Sequence, residues 1–319
     1  MSGSLPLLYH AESSFYSQRA RLGLAEKGVK HRRYHVTHKA GENLLPWFMR
    51  LNPKGEVPIM EHNKRLIIDS EAILDYLDQI TPDVPRLTPD LTSEEGPKVH
   101  HFKSLLKSVN IRVLMLGSKH HADKIGAVKV KDFNSWLAHF VKLKHSKGIK
   151  IMKWHSRINP DLKFAYDAKI ATYEKTASGI ELEVVLTEIK HCDEVFDEIE
   201  AQLVQCNKDA DESAPSSEQL PWLCSRTFSI ADIFLSTILH RLTSIGLQQR
   251  FFTNGKRPHI EAYYERVLKR PSFRKTCLYS NSALWALAIP IVKYKIKRTV
   301  PYILIIGAVG GALYMYFKH

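Results

Sequence analysis

The chain has 319 residues, enough for two domains and a terminal appendage. Its cysteines, Cys192, Cys206, Cys224 and Cys277, show no CxxC and no metal-ligand spacing, which argues for free thiols in a reducing compartment and excludes a disulfide framework. The formal charge is +13, yet no finger, RNP-like or helix-turn-helix pattern accompanies it, so nucleic acid is not the expected partner.

In chain order, MSGSLPLLYH lacks the charged and apolar regions of a signal peptide, so the body of the protein is expected to stay in the cytosol. Pro6 to His10 reads as a short apolar strand and Ser17 to Gly28 as a helix, with His31 to Val36 as an edge strand. Val57 to Glu61 and Leu66 to Asp69 read as two strands joined by a polar turn at His62 to Lys64. A helix over Ser70 to Ile80 follows. This β-α-β-α-β-β-α order is thioredoxin-like. Pro58 opens a strand, where proline is tolerated only at a start, an edge or a special turn, and a cis bond there would aim the Val57 backbone outward. Asp69-Ser70 lies at a strand-to-helix junction, so Ser70 is expected to cap the helix and its first free N–H groups to receive an anion.

Beyond residue 92 the pattern turns helical. Ser118 to Arg157 holds ten Lys/Arg against Asp123 and Asp132. This basic stretch reads either as a solvated insertion or as a contact for an anionic membrane or an acidic partner. Glu181 to Gln205 carries Leu182, Val185, Ile189, Cys192, Phe196, Ile199 and Leu203 at three-four spacing, an amphipathic packing helix, and Lys208 to Gln219 reads as a surface loop. Ser229 and Asp232 form a capping-box pair, with Phe228 and Ile233 as its hydrophobic staple. The sixteen histidines, Lys119 to Asp123 included, form no HExxH or His/Cys cluster, so no metal is expected.

The apolar decade Ala283 to Val292, broken by Pro290, is too short to span a bilayer. Then comes VPYILIIGAVGGALYMYF, Val300 to Phe317, flanked by Lys293, Lys295, Lys297, Arg298 and Lys318. Eighteen residues make roughly 27 Å of helix, just sufficient for one membrane span. The short, glycine-diluted span suits a thin membrane such as the mitochondrial outer membrane, with the peroxisome as an alternative. Gly307 and Gly311 form a small-xxx-small pair that would let two spans pack as a homodimer. The expected organisation is therefore an α/β domain over 1–82, an all-α domain over 92–280 with the insertion at about 118–180, a juxtamembrane segment over 281–299 and a transmembrane tail anchor over 300–317.

Gly55-Glu56-Val57-Pro58, with Asp69-Ser70-Glu71-Ala72-Ile73-Leu74, resembles the glutathione-recognition half of glutathione S-transferases, and Phe228-Ser229-Ile230-Ala231-Asp232-Ile233 resembles the capped helix of their C-terminal domain. Pro46-Trp47-Phe48, Pro221-Trp222-Leu223-Cys224 and Asn254-Gly255-Lys256-Arg257-Pro258 running into Tyr263-Tyr264-Glu265-Arg266 resemble the ganglioside-induced differentiation-associated protein family. The resemblance implies a thioredoxin-like domain joined to an all-α transferase domain. It also implies a tail-anchored protein of the mitochondrial outer membrane that acts on fission and on redox and calcium homeostasis. By the same resemblance Val57, Pro58, Asp69 and Ser70 bind glutathione. Ser14, aligned with a serine-rich segment before Arg19-Ala20-Arg21, is the candidate thiolate donor, and Tyr9 is the alternative. Glu71 adds a second carboxylate beside the γ-glutamyl site, which weakens binding unless that side chain turns to solvent.

Overall fold

The computed structural model describes residues 4–128, 145–177, 179–213 and 220–278. The N-terminal domain runs β1 (Leu7–His10), α1 (Phe15–Glu26), β2 (Arg32–His35), α2 (Pro46–Leu51), β3 (Ile59–His62), β4 (Arg65–Ile68) and α3 (Ser70–Ile80). The sheet order is β2-β1-β3-β4, parallel between β1 and β2 and antiparallel elsewhere. Asn63 and Lys64 both take positive φ, the two-residue turn whose twist matches a tight hairpin. The strand period of two splits β1 between two faces. Leu8 enters the main core with Leu22, Met60 and Leu74, while Tyr9 joins Phe48, Val57 and Ile59 on the other face.

The second domain comprises α4 (Gly96–Ser108), α5 (Ile111–His120), α6 (Ala122–Ile125), α7 (His145–Ile158), α8 (Lys163–Ala177), α9 (Leu182–Ser213), α10 (Ile230–Ser244), α11 (Gln248–Phe251) and α12 (Pro258–Lys269). α10 is buried on every side from Ile230 to His240, and its start is built as the sequence predicts. The Asp232 carboxylate accepts from the Ser229 amide at 2.8 Å and hydroxyl at 2.9 Å, from the Leu223 amide at 2.8 Å and from the Tyr263 hydroxyl at 2.8 Å. Burial pushes this carboxyl up, and the four donors counter it. The segment between the domains is pinned by Lys27, which pairs with buried Asp78 at 3.0 Å and donates to the Val84 and Pro85 carbonyls at 3.1 and 2.9 Å, and by the bond from the Ile230 amide to the Leu87 carbonyl at 2.7 Å.

Two expectations change. Lys208 to Ser213 continues α9 rather than forming a loop, because this stretch is free of Gly and Pro and extends the backbone ladder before Pro215. The insertion, where described, is not a solvated segment. α7, α8 and the turn between them dock on the first domain through Leu44, Met49, Met152, Leu162, Tyr166 and Ile170. The buried Tyr166 hydroxyl donates to the Leu44 carbonyl at 2.9 Å, and Arg50 reaches Asp161 and Asn159, each at 3.0 Å. Among the described residues no helix is long and apolar enough to cross a membrane. Residues 300–317, the decade 283–292 and the middle of the insertion at 129–144 lie outside them.

Candidate functional site

A cleft of about 1030 Å³ opens where the start of α1, the Val57-Pro58 turn, the start of α3 and the docked insertion meet. Chain segments far apart in sequence thus converge, and Ser14, Val57, Pro58, Asp69 and Ser70 all line the cleft. Val57-Pro58 is cis. Asp69, with φ 86°, is the cap of α3, its Oδ1 accepting from the Glu71 amide at 2.8 Å. This corrects the sequence expectation that Ser70 caps the helix: Ser70 is its buried first residue. The shorter aspartate permits this, since its carboxylate folds back on the next turn. Ser14 caps α1, its Oγ accepting from the Ser17 amide at 3.3 Å. A hydroxyl that accepts in this way keeps its own proton to donate into the cleft.

Tyr9 does not reach the cleft. Its hydroxyl donates to Glu61 Oε2 at 3.0 Å and its ring packs between Tyr34 and Trp47, with centroids 5.6 and 6.4 Å away. Burial raises this phenol, and the hydrogen bond to Glu61 adds to the rise. The tyrosine alternative therefore fails on placement: a mid-strand side chain faces a sheet surface, whereas the cleft collects residues from beyond the strand ends. No cluster of three or more metal-ligating side chains occurs among the described residues.

Glu71 lines the cleft but neither turns to solvent nor faces an anion unopposed. Lys103 and Lys107 of α4 approach its two oxygens at 3.0 and 2.7 Å. Burial works against its charge, yet these ammonium groups hold the carboxyl below its usual range. Arg19 is the cleft's deepest charge. Its guanidinium lies 4.4 Å from the Phe15 centroid and 3.7 Å from that of Phe234, and its Nε donates to Thr237 Oγ1 at 3.3 Å. No carboxylate pairs with it among the described residues, and burial pushes it down to about 10, still protonated at neutral pH.

Arg21, two residues on, points elsewhere because successive helical positions turn by about 100°. It donates to the carbonyls of Ala11, Glu12 and Thr276 and so holds the loop that presents Ser14. The Arg-x-Arg pair thus divides into one cleft cation and one loop clamp. Gly148, Lys169, Thr172 and Tyr173 of the insertion form the opposite wall, with Lys169 at 3.5 Å from Glu56. Sequence reasoning misses this wall. The signal available is the Tyr166, Ile170, Tyr173 spacing, one helical face that needs a partner.

Comparison with known proteins agrees with this geometry. Residues 8–85 match the family model described as glutathione S-transferase, N-terminal domain, and residues 171–266 match glutathione S-transferase, C-terminal domain, together more than half of the chain. The chain belongs to the glutathione S-transferase family. It is 29% identical to ganglioside-induced differentiation-associated protein 1-like 1 of Homo sapiens over 97% of this chain and 84% of that protein, which bears out the resemblance read from its motifs. Among solved structures it is similar to the β-etherase LigF of Sphingobium sp. strain SYK-6, with a TM-score of 0.60 and 18% identity over 86% of this chain and 98% of that one. It is also similar to the glutathione-bound theta class transferase of Xanthomonas axonopodis pv. citri, with a TM-score of 0.52 and 17% identity over 86% and 97% of the two chains. These last two likenesses concern the fold. The family models leave residues 86–170 between them, the stretch that contains most of the docked insertion.

Proposed function

We propose that the chain is a glutathione-binding protein tethered by residues 300–317 to the mitochondrial outer membrane, its transferase-like body facing the cytosol. There it acts mainly as a scaffold or sensor in mitochondrial network dynamics, chiefly fission, and in redox and calcium homeostasis. The observation that carries the binding claim is the convergence of Val57, Pro58, Asp69 and Ser70 in one cleft, with Glu71 neutralised by two lysines. That solved relatives hold glutathione or lactoylglutathione supports the choice of ligand. The apolar run with basic flanks supports the tether. Membranes and, through the basic insertion, cytosolic or organelle-contact proteins are its proposed partners, and a homodimer through Gly307 and Gly311 is the proposed assembly.

A second reading rests on Ser14. Its placement supports a working transferase that conjugates glutathione to apolar electrophiles at the membrane, the Ser14 hydroxyl donating to the thiolate. The two readings part on a single substitution. Mitochondrial morphology should be unaffected by Ser14→Ala if the protein is a scaffold. A fission defect from a folded, glutathione-binding Ser14→Ala chain would overturn that reading in favour of chemistry. Deleting 300–319 should release the protein to the cytosol, and a deleted chain still bound to mitochondria would refute the tether.

A further inference from the structure

The corner where α7 meets α8 leaves large apolar side chains in water. Phe164 is 89% exposed, Trp154 56% and Ile158 54%. Trp154 and Ile158 are one turn apart on one side of α7, and Phe164 follows Ile158 by six residues at the start of α8, so the three flank the corner where the two helices meet. The opposite face of α7 is the docked one, through Met152 and the buried His155, so internal packing does not explain the exposed edge. Exposed Lys147, Lys150, Lys153, Arg157 and Lys163 surround it. The acids of the hairpin are already engaged: Asp161 with Arg50, Asp167 with Lys163 and Glu174 with Lys153. Lys147, Lys150 and Arg157 pair with no carboxylate among the described residues.

The geometry points to this edge as a second membrane contact, which lies on an anionic bilayer with Trp154, Ile158 and Phe164 at the headgroup–acyl boundary. An aromatic and aliphatic tip ringed by lysines is the composition of an interfacial element, and the charge sign selects anionic lipid. An acidic protein would satisfy the lysines but give no reason for Phe164 to stand almost wholly in water. The tail does not forbid the contact. The 21 residues of 279–299 can extend to at most about 70 Å, long enough for the body to tilt this edge onto the membrane. From the tether reading the inference takes only the nearness of a bilayer.

The test reconstitutes the full chain into brominated vesicles of phosphatidylcholine, alone or with phosphatidylserine. The Trp154 signal is isolated as the difference between the chain and its Trp154→Phe variant. Trp154 should be quenched in the anionic vesicles, remain bright in the neutral ones, and recover at high salt. Lys150→Gln with Arg157→Gln should weaken docking about thirtyfold, on the basis of about 1 kcal/mol per basic residue at an anionic surface. Phe164→Ser should lessen the quenching without lowering the melting temperature, because that side chain already lies in water. A Trp154 signal equally bright in both vesicle types would overturn the inference, as would one quenched equally in both. So would shielding of Trp154 by an added acidic protein but not by lipid. Co-flotation with neutral vesicles reports the tail separately: a chain that fails to float refutes the tether, while quenching on adding anionic vesicles still decides the hairpin edge.

Discussion

The observed role of Ser14 as a cap and its proposed role as a thiolate donor can be separated by measurement. As the cap of α1 it satisfies the Ser17 amide, so Ser14→Ala should lower stability by about 1 kcal/mol in denaturant unfolding. As a donor it should hold the bound glutathione thiol below its free value of about 8.5. Titrating thiolate absorbance in the complex checks this: the thiol should return to its free value in Ser14→Ala. An unchanged thiol would leave Ser14 as a cap alone. Tyr9→Phe should move neither the thiol nor glutathione affinity, since Tyr9 is bound to Glu61 away from the cleft. His240 makes a different forecast. Buried beside Phe273, with Nδ1 2.9 Å from the Tyr264 hydroxyl, it is pushed down to about 4 by burial. A histidine whose folded value is depressed stabilises the fold above its unfolded value of about 6.5 and loses that contribution as pH falls towards 4. Stability should therefore fall with acidification across that window, by up to about 3 kcal/mol from this group, and His240→Gln should flatten the slope by one proton.

At the scale of elements, the start of α10 and the docked hairpin are held by bonds of unequal worth. Asp232→Ala leaves the Leu223 and Ser229 amides and the Tyr263 hydroxyl without their shared buried acceptor. It should cost on the order of 4 kcal/mol, read as a large drop in melting temperature. Tyr166→Phe removes one buried bond to Leu44 and should cost about 1 kcal/mol, with faster amide exchange concentrated in α7 and α8. Arg50→Ala breaks an exposed pair and should change stability by less than about 1 kcal/mol. The elements most legible in sequence are those fixed by local chemistry. The Ser229–Asp232 box, the turn before β4 and the Val57-Pro58 strand start each need only residues adjacent in the chain. The hairpin is not legible, because its docking depends on Leu44 and Met49, more than a hundred residues away from Met152 and Tyr166. The neutralisation of Glu71 is illegible for the same reason, since Lys103 and Lys107 come from another domain.

For the whole molecule, the family architecture is kept while the insertion closes one side of the cleft. Arg19, Lys54, Lys107, Arg112 and Lys169 outnumber Glu56, Asp69 and Glu71 in the lining, where Lys107 pairs with Glu71 and Lys169 with Glu56. Such a cleft favours a ligand carrying carboxylates, as glutathione does at both ends, and this electrostatic match depends on elements from both domains. Calorimetric titration of glutathione into the full chain in detergent measures whether the cleft takes this ligand. Binding should fall within the millimolar range and raise the melting temperature, and Ser70→Ala should lower the affinity about tenfold through loss of a hydrogen bond to the charged γ-glutamyl end. No heat and an unchanged melting temperature at saturating millimolar glutathione would contradict this binding.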